Sequence, residues 1–147
     1  MNEEARTRAL RLLDKRDYSR KMLTDKLTEK GISPSDAEET LDWLCSVGLV
    51  DDRRYAGLVV RHYAAKGYGE RRVRDELYRR GVDKEFWEEA LSEMPEQDNA
   101  LDVLIRIKLG GKEPTRENLS RISAALQRRG YSYSEIRSAL ERLENEE

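Results

Sequence analysis

The sequence predicts an all-α fold built from three tandem tri-helical, helix-turn-helix-like repeats, arranged as an elongated or curved molecule. Three observations carry this. Apolar positions recur with a period of about 50 residues. A glycine punctuates each period at the same point. And 39% of the 147 residues are charged against 37% apolar, a balance that suits thin helical layers better than one deep core.

The repeat is visible once Gly31, Gly81 and Gly130 are aligned, each preceded by a base: Lys30, Arg80 and Arg129. Eight residues before the glycine stand Leu23, Val73 and Ile122, and four before it Leu27, Leu77 and Leu126. Six after it stand Ala37, Trp87 and Ile136, ten after it Leu41, Leu91 and Leu140, and thirteen after it Leu44, Met94 and Leu143. All fifteen positions are apolar. Spacings of three and four put each set on one helical face. The glycine between them then closes one helix in a left-handed turn. Ser33, Asp83 and Ser132 follow two residues later as N-caps of the next helix, with Pro34 at a first helical position and Glu135 placed to complete a capping box with Ser132.

A further helix precedes each pair. Ala9, Leu12 and Leu13 mark the first, which ends near Asp17 and Tyr18, with Ser19 as the next N-cap. Leu58, Val59 and Tyr63 mark the second, ending at Lys66-Gly67-Tyr68-Gly69. Leu101, Leu104 and Ile105 mark the third, followed by a longer connection from Gly110 to Thr115. Nine helices and no strand are expected, with repeats at residues 1–52, 53–95 and 96–147.

Charge is distributed unevenly over this frame. The formal net charge is −2, yet residues 53–81 carry +6, flanked by −3 over residues 1–52 and −6 over residues 82–99. A cationic block points to a polyanion or an acidic protein surface as partner; its structural counterpart is a solvated face balanced by acidic neighbours after folding. The candidate contact residues are Arg53, Arg54, Arg61, Lys66, Arg71, Arg72, Arg74 and Arg79, because guanidinium groups offer paired donors to phosphate and carboxylate alike. Lys30, Arg80 and Arg129 are assigned to the negative ends of their own helices.

Other candidates read as structure. Asp51 and Asp52 form a carboxylate pair but precede a helix, where they act as N-terminal caps. Trp87 is a core residue, Trp43 a partly buried flank, Tyr55 a packing residue between repeats and His62 a surface residue. Cys45, the single cysteine, sits in an apolar helix end as a structural thiol and fits a reducing compartment. No phosphate-binding glycine loop, metal-ligand cluster or nucleophile–base pairing appears, so no catalytic residue, cofactor or metal is expected and the chain is not expected to be an enzyme. No apolar run is long enough to span a membrane and no signal-peptide core is present, so a soluble, cytoplasmic protein is expected.

The run Leu49-Val50-Asp51-Asp52-Arg53-Arg54-Tyr55-Ala56, followed by Gly67-Tyr68-Gly69-Glu70-Arg71-Arg72-Val73-Arg74-Asp75-Glu76-Leu77 and Arg80-Gly81-Val82, resembles the RecX family. The first repeat agrees through Ala9-Leu10, Leu12-Leu13, Arg16 and Ser19, and the third through Arg128-Arg129-Gly130-Tyr131-Ser132. The resemblance covers roughly residues 5 to 144. It departs at Met22, where the family usually has an acid completing the capping box of Ser19, so that helix start is expected to be less well held. It departs also at Glu70, where the family often has proline, and at the long connection of the third repeat. The resemblance implies a non-catalytic regulator that binds the RecA–DNA nucleoprotein filament. It implies inhibition of ATP hydrolysis and strand exchange in homologous recombination, DNA repair and the SOS response, by a monomer. Its cationic centre would meet acidic RecA surface, or single- or double-stranded DNA within or beside the filament. A helix-turn-helix protein binding DNA directly is the alternative, opposed by the acidic second helix of each pair. An interaction scaffold of the solenoid kind is a weaker rival, since three irregular repeats make a poor solenoid.

Overall fold

The computed structural model describes residues 2–146. Among them are nine α-helices and no strand: α1 (Glu3–Lys15), α2 (Arg20–Glu29), α3 (Pro34–Ser46), α4 (Asp52–Ala65), α5 (Glu70–Arg79), α6 (Trp87–Leu91), α7 (Gln97–Leu109), α8 (Arg116–Arg128) and α9 (Tyr133–Asn145). A 3-10 turn, Lys84–Phe86, leads into α6. No helix among the described residues is long and apolar enough to cross a membrane.

Contacts divide the chain into two units, Met1–Leu58 with Glu76–Ala90 and Val59–Asp75 with Leu91–Glu147. The first contains a core of Ala5, Ala9, Tyr18, Leu23, Leu27, Ile32, Ala37, Leu41, Leu44 and Val50. The second contains one of Leu101, Ile105, Leu109, Ile122, Leu126, Tyr131, Ile136 and Ala139. Of the fifteen repeat positions, twelve are buried and the other three, Met94, Leu140 and Leu143, are half-buried. The apolar spacing therefore identified the buried stripe of each helix pair.

The three aligned glycines close their helices in the same way. Gly31, Gly81 and Gly130 have φ of 91°, 72° and 99°. The amides of Ile32, Val82 and Tyr131 reach back to the carbonyls of Leu27, Leu77 and Leu126 at 3.1, 3.1 and 3.2 Å, and the glycine amides to Thr28, Tyr78 and Gln127 at 3.0 Å each. This double closure satisfies carbonyls that the helix leaves open, and it brings together two buried apolar residues per turn.

The starts of the following helices are less uniform. Ser33 accepts from the Asp36 amide at 3.2 Å, and Ser132 with Glu135 forms the full capping box. Asp83 does not cap with its side chain. Its backbone carbonyl accepts the Phe86 amide at 3.1 Å, so the chain enters α6 through a 3-10 turn. Ahead of α8, Thr115 caps by accepting from the Asn118 amide at 3.2 Å.

The equivalent glycines differ in their surroundings, which sets a graded test. A Cβ on Gly31 would meet nothing within 4 Å, whereas on Gly130 it would lie 2.5 Å from the Arg72 Cβ and backbone nitrogen. Gly31→Ala is expected to cost about 1–2 kcal/mol, the left-handed strain alone. Gly130→Ala is expected to cost about 3 kcal/mol or more, because backbone must also move. Urea unfolding of both variants measures the difference; equal losses would show that the crowding at Gly130 is without consequence.

Candidate functional site

The eight candidate cations fall in both units, three in the first and five in the second. In the first, Arg53 is exposed, 3.2 Å from Glu89, with its guanidinium over the Phe86 ring. Arg54 is exposed and donates to the Gly48 carbonyl at 3.3 Å. Arg79 is exposed and lies 3.5 Å from the buried Glu76. Surface pairs of this kind contribute little and leave the guanidinium available to a stronger partner.

Asp51 and Asp52 divide the capping work. Asp51 caps α4, its Oδ1 accepting from the amides of Arg53 and Arg54 at 3.0 and 3.2 Å. Asp52 instead reaches α2, accepting from the Arg20 amide at 2.8 Å. Ser19 accepts from the Met22 amide at 3.2 Å, and a carboxylate from α4 serves the neighbouring Arg20 amide in place of the acid that would have bound the Ser19 amide. The start of α2 is held after all. Burial is the main influence on the Asp52 carboxyl and pushes it upward; the Arg20 amide opposes this, and nearby Asp83 and Asp51 reinforce it.

The same region joins the middle helices of the first two repeats. The Ser19 hydroxyl donates to the Arg80 carbonyl, at the end of α5, and Gly81 lies against the side chain of Lys21. Arg80 donates to the Tyr55 hydroxyl at 2.6 Å and pairs with Glu76, and that Tyr55 hydroxyl lies 3.4 Å from the Met22 sulfur. Tyr55 is buried and packs between repeats as expected. Arg80 is structural, but through side-chain partners rather than its own helix end.

The second unit holds a matching joint. The amides of Gly69 and Arg71 donate to the carbonyls of Arg129 and Gly130 at 2.8 and 3.2 Å. The Arg71 guanidinium donates to the Gln127 carbonyl at 3.0 Å. The positive start of α5 thus sits on the negative end of α8. A Cβ on Gly69 would lie 2.7 Å from the Gly130 oxygen, so only glycine permits this approach. Arg129 donates to the Lys66 carbonyl at 2.7 Å, and the Tyr131 hydroxyl to Gly67 at 3.3 Å, closing the end of α4. Arg129 is structural, as expected, but serves the end of α4 rather than that of its own helix. Burial pushes the Tyr131 hydroxyl up, with a contribution from Glu135 against the opposing Arg129, so it remains a donor at neutral pH.

Around this joint the remaining candidates sort themselves. Arg72 is half-buried, its guanidinium 5.0 Å from the centre of the Tyr68 ring, which also takes Arg129 at 5.1 Å. Arg74 is half-buried and 3.7 Å from Glu70. Arg61 is exposed and 2.8 Å from Glu93, and Lys66 is exposed. Part of the cationic block is therefore balanced by acids, as its structural reading requires. Part of it is spent on helix ends and aromatic rings.

Elsewhere, Trp87 is buried and donates to the Val82 carbonyl at 2.9 Å. Trp43 is half-buried under the Arg6 guanidinium at 3.9 Å. His62 is exposed beside Tyr63. Cys45 is half-buried and takes a 3.6 Å contact from Arg20. No group of three or more potential metal-binding side chains occurs among the described residues.

Comparison with known proteins places these features in a family. A family model described as RecX, first three-helix domain, matches residues 5–44, and one described as RecX, second three-helix domain, matches residues 51–91. A protein named Regulatory protein RecX from Xanthomonas axonopodis pv. citri (strain 306) is 42% identical over 135 residues, spanning 90% of this chain and 83% of that protein. Another of that name from Vibrio vulnificus (strain CMCP6) is 35% identical over 134 residues, spanning 90% of this chain and 88% of that one. The crystal structure of RecX from Lactobacillus salivarius superposes with a TM-score of 0.84 at 23% identity, covering 96% of this chain and 95% of the other.

The position of Asp52 yields a pH-dependent test. Because burial raises its folded value, the folded chain holds this proton more tightly than the unfolded chain does. The stability from this group falls as pH rises from the ordinary carboxylate range through the raised folded value. Asp52→Ala is expected to cost about 1 kcal/mol through the lost cap. Asp52→Asn keeps an acceptor for Arg20 and should flatten that portion of the pH profile. Denaturant unfolding across acidic to neutral pH checks both; an unaltered profile in the Asn variant would exclude Asp52 as its source.

Proposed function

The chain belongs to the RecX family, and from that premise we propose that this regulatory protein binds the RecA–DNA nucleoprotein filament and inhibits RecA ATPase, strand exchange and related recombinase activities. It acts without catalysis, in the cytoplasm, in homologous recombination, DNA repair and the SOS response. Its functional divisions are the three tri-helical repeats at 1–52, 53–95 and 96–147.

The observation that carries this reading is that Arg53, Arg54, Arg61, Lys66 and Arg79 keep exposed cationic side chains after folding, in a chain whose overall charge is −2. These five meet the negatively charged filament, through acidic protein surface or phosphate. Arg71 and Arg72 also anchor the α5 start to the Gln127 carbonyl and the Tyr68 ring, and with Arg74, paired along α5 with Glu70, they contribute to the same contact. The acidic helix α3, with Asp36, Glu38, Glu39 and Asp42, would be repelled by phosphates, which disfavours direct duplex reading by that helix.

The test reverses charges that carry little of the fold. Lys66→Glu with Arg79→Glu should leave stability within about 0.5 kcal/mol per site. It should raise the concentration needed for half-inhibition of RecA ATPase by about tenfold or more. Arg8→Glu with Arg121→Glu, at exposed i,i+4 partners of Glu4 and Glu117, is the control and should have a smaller effect. Added salt should weaken the wild-type interaction in parallel. Full inhibition by the Lys66/Arg79 variant would remove these cations from the contact. Binding to naked duplex as strong as to filament, at the same salt, would favour the direct DNA-binding reading.

A further inference from the structure

The cations of the third repeat fall into two groups. Arg106, Arg137 and Arg142 each pair with an acid, Glu146, Glu141 and Asp102 in turn. Lys108 and Lys112 have no carboxylate partner among the described residues. Both line a pocket of about 210 Å³ between α7 and α8, to which Leu109, Ile122 and Ala125 add an apolar part. Arg121 stands on its α8 wall, tied to Glu117 of the same helix. Among the described residues no acidic side chain lines this pocket. The furrow between α7 and α9 differs, since Asp102 and Glu146 line it together with Arg106 and Arg142.

The long connection of the third repeat brings these groups together. It spans residues 110–115, where the first two repeats use 16–19 and 66–69. Gly110 and Gly111, with φ of 52° and 86°, turn the chain. The Lys112 amide then donates to the Leu109 carbonyl at 2.8 Å, and the Glu113 carbonyl takes the Thr115 amide at 2.8 Å and the Asn118 side chain at 2.9 Å. The backbone on both sides of Lys112 is thereby fixed. On α8, Asn118, Arg121, Ile122 and Ala125 share one face, and Arg128 continues it two turns beyond Arg121, about 10 Å along the axis. Arg128 is exposed and has no carboxylate partner among the described residues. The cations therefore extend past the pocket, farther than one phosphate group reaches.

We propose that the α7–α8 pocket binds the backbone phosphates of a single nucleic-acid strand, with Lys108 and Lys112 as the holding groups and the strand running along α8 towards Arg128. The two ammonium groups meet phosphate as point charges, and the apolar part accepts sugar carbons. No aromatic side chain lines the pocket, so the contact reads backbone rather than base. A recess between two helices suits a flexible strand, whose phosphates can enter it. The site is separate from the cations of residues 53–81, and the inference does not rest on the RecA reading.

Fluorescence anisotropy of a fluorescein-labelled oligodeoxythymidine, titrated with the full chain and without RecA, tests this. Lys108→Gln with Lys112→Gln should weaken binding by about tenfold at low salt. It should also lower the slope of log affinity against log salt by about 1.4, two contacts at about 0.7 each for a single strand. Melting curves should match those of the wild type, because the pair has no partner in the fold. Arg11→Gln with Lys26→Gln, exposed cations of the first repeat, makes the same change in net charge and should leave both affinity and slope near the wild-type values. Unlabelled oligodeoxythymidine should displace the probe far better than polyglutamate or tripolyphosphate at equal charge. A wild-type chain that does not bind the strand, or an unchanged slope in the lysine variant, would overturn the proposal. So would an equal loss in the control pair. Displacement by polyglutamate as effective as by the strand would assign the pocket to an acidic protein instead, and equally effective tripolyphosphate would assign it to a free phosphate compound.

Discussion

The glycine-closed end of a middle helix is the constraint on which the rest of the structure depends. A helix ends with open carbonyls and a partial negative charge. Here the left-handed glycine turns the chain away without a side chain, so those carbonyls stay accessible to another backbone. The start of α5 uses this at the end of α8, with a 2.8 Å bond from Gly69 to Arg129. The start of α2 uses it at the end of α5, through Ser19 and Arg80. In both cases the positive end of one helix meets the negative end of another. Contacts made by backbone and dipole need little apolar area, which is how a chain with 37% apolar residues joins successive repeats.

That economy of apolar surface determines what the arginines do. A helix end in a tight joint needs its last carbonyls satisfied, and a guanidinium with several donors reaches them from a distance. Arg71 and Arg129 do this for α8 and α4, and Arg80 braces Tyr55. The cationic block therefore contains two populations that composition cannot separate. One completes the scaffold. The other, typified by Lys66 and Arg79, remains at the surface in weak pairs or in solvent. The consequence for any regulatory contact is physical: a scaffold arginine moved by a partner would uncover a carbonyl, whereas a surface one would exchange only a screened ion pair.

Much of this architecture was legible from spacing alone. The fifteen repeat positions and the glycine turns depend on local periodicity and backbone sterics, both written in consecutive residues. What could not be read was the destination of polar side chains across repeats. Asp51 and Asp52 are adjacent and chemically identical, yet one caps its own helix and the other caps α2. Asp83 has the sequence signature of a cap and leaves the task to its backbone carbonyl. Arg71, a candidate contact residue by its charge, is exposed and also donates to the Gln127 carbonyl at the end of α8. A signal for Arg71 did exist: Gly69, two residues earlier, is spaced from Gly81 as Ser19 is from Gly31, marking both as places where a helix start approaches another chain segment.

The borrowed cap at α2 shows how far this dependence extends. A Ser-first helix with Met22 in place of an acid lacks half of the usual capping box, which in isolation would leave its first turn frayed. Asp52, at the start of α4, supplies an acceptor to the next amide, that of Arg20, so the first turn of α2 is held in part by α4. The start of α5 likewise draws its partners from the third repeat. The starts of α2 and α5 are thus completed by a later helix, α4 and α8, whereas that of α8 is capped locally by Thr115, and part of the stability resides in such nearest-neighbour terms. Cutting the chain ahead of α4 or ahead of α7 would therefore remove more than the contacts counted at the cut, because it would also unsatisfy the start of α2 or of α5.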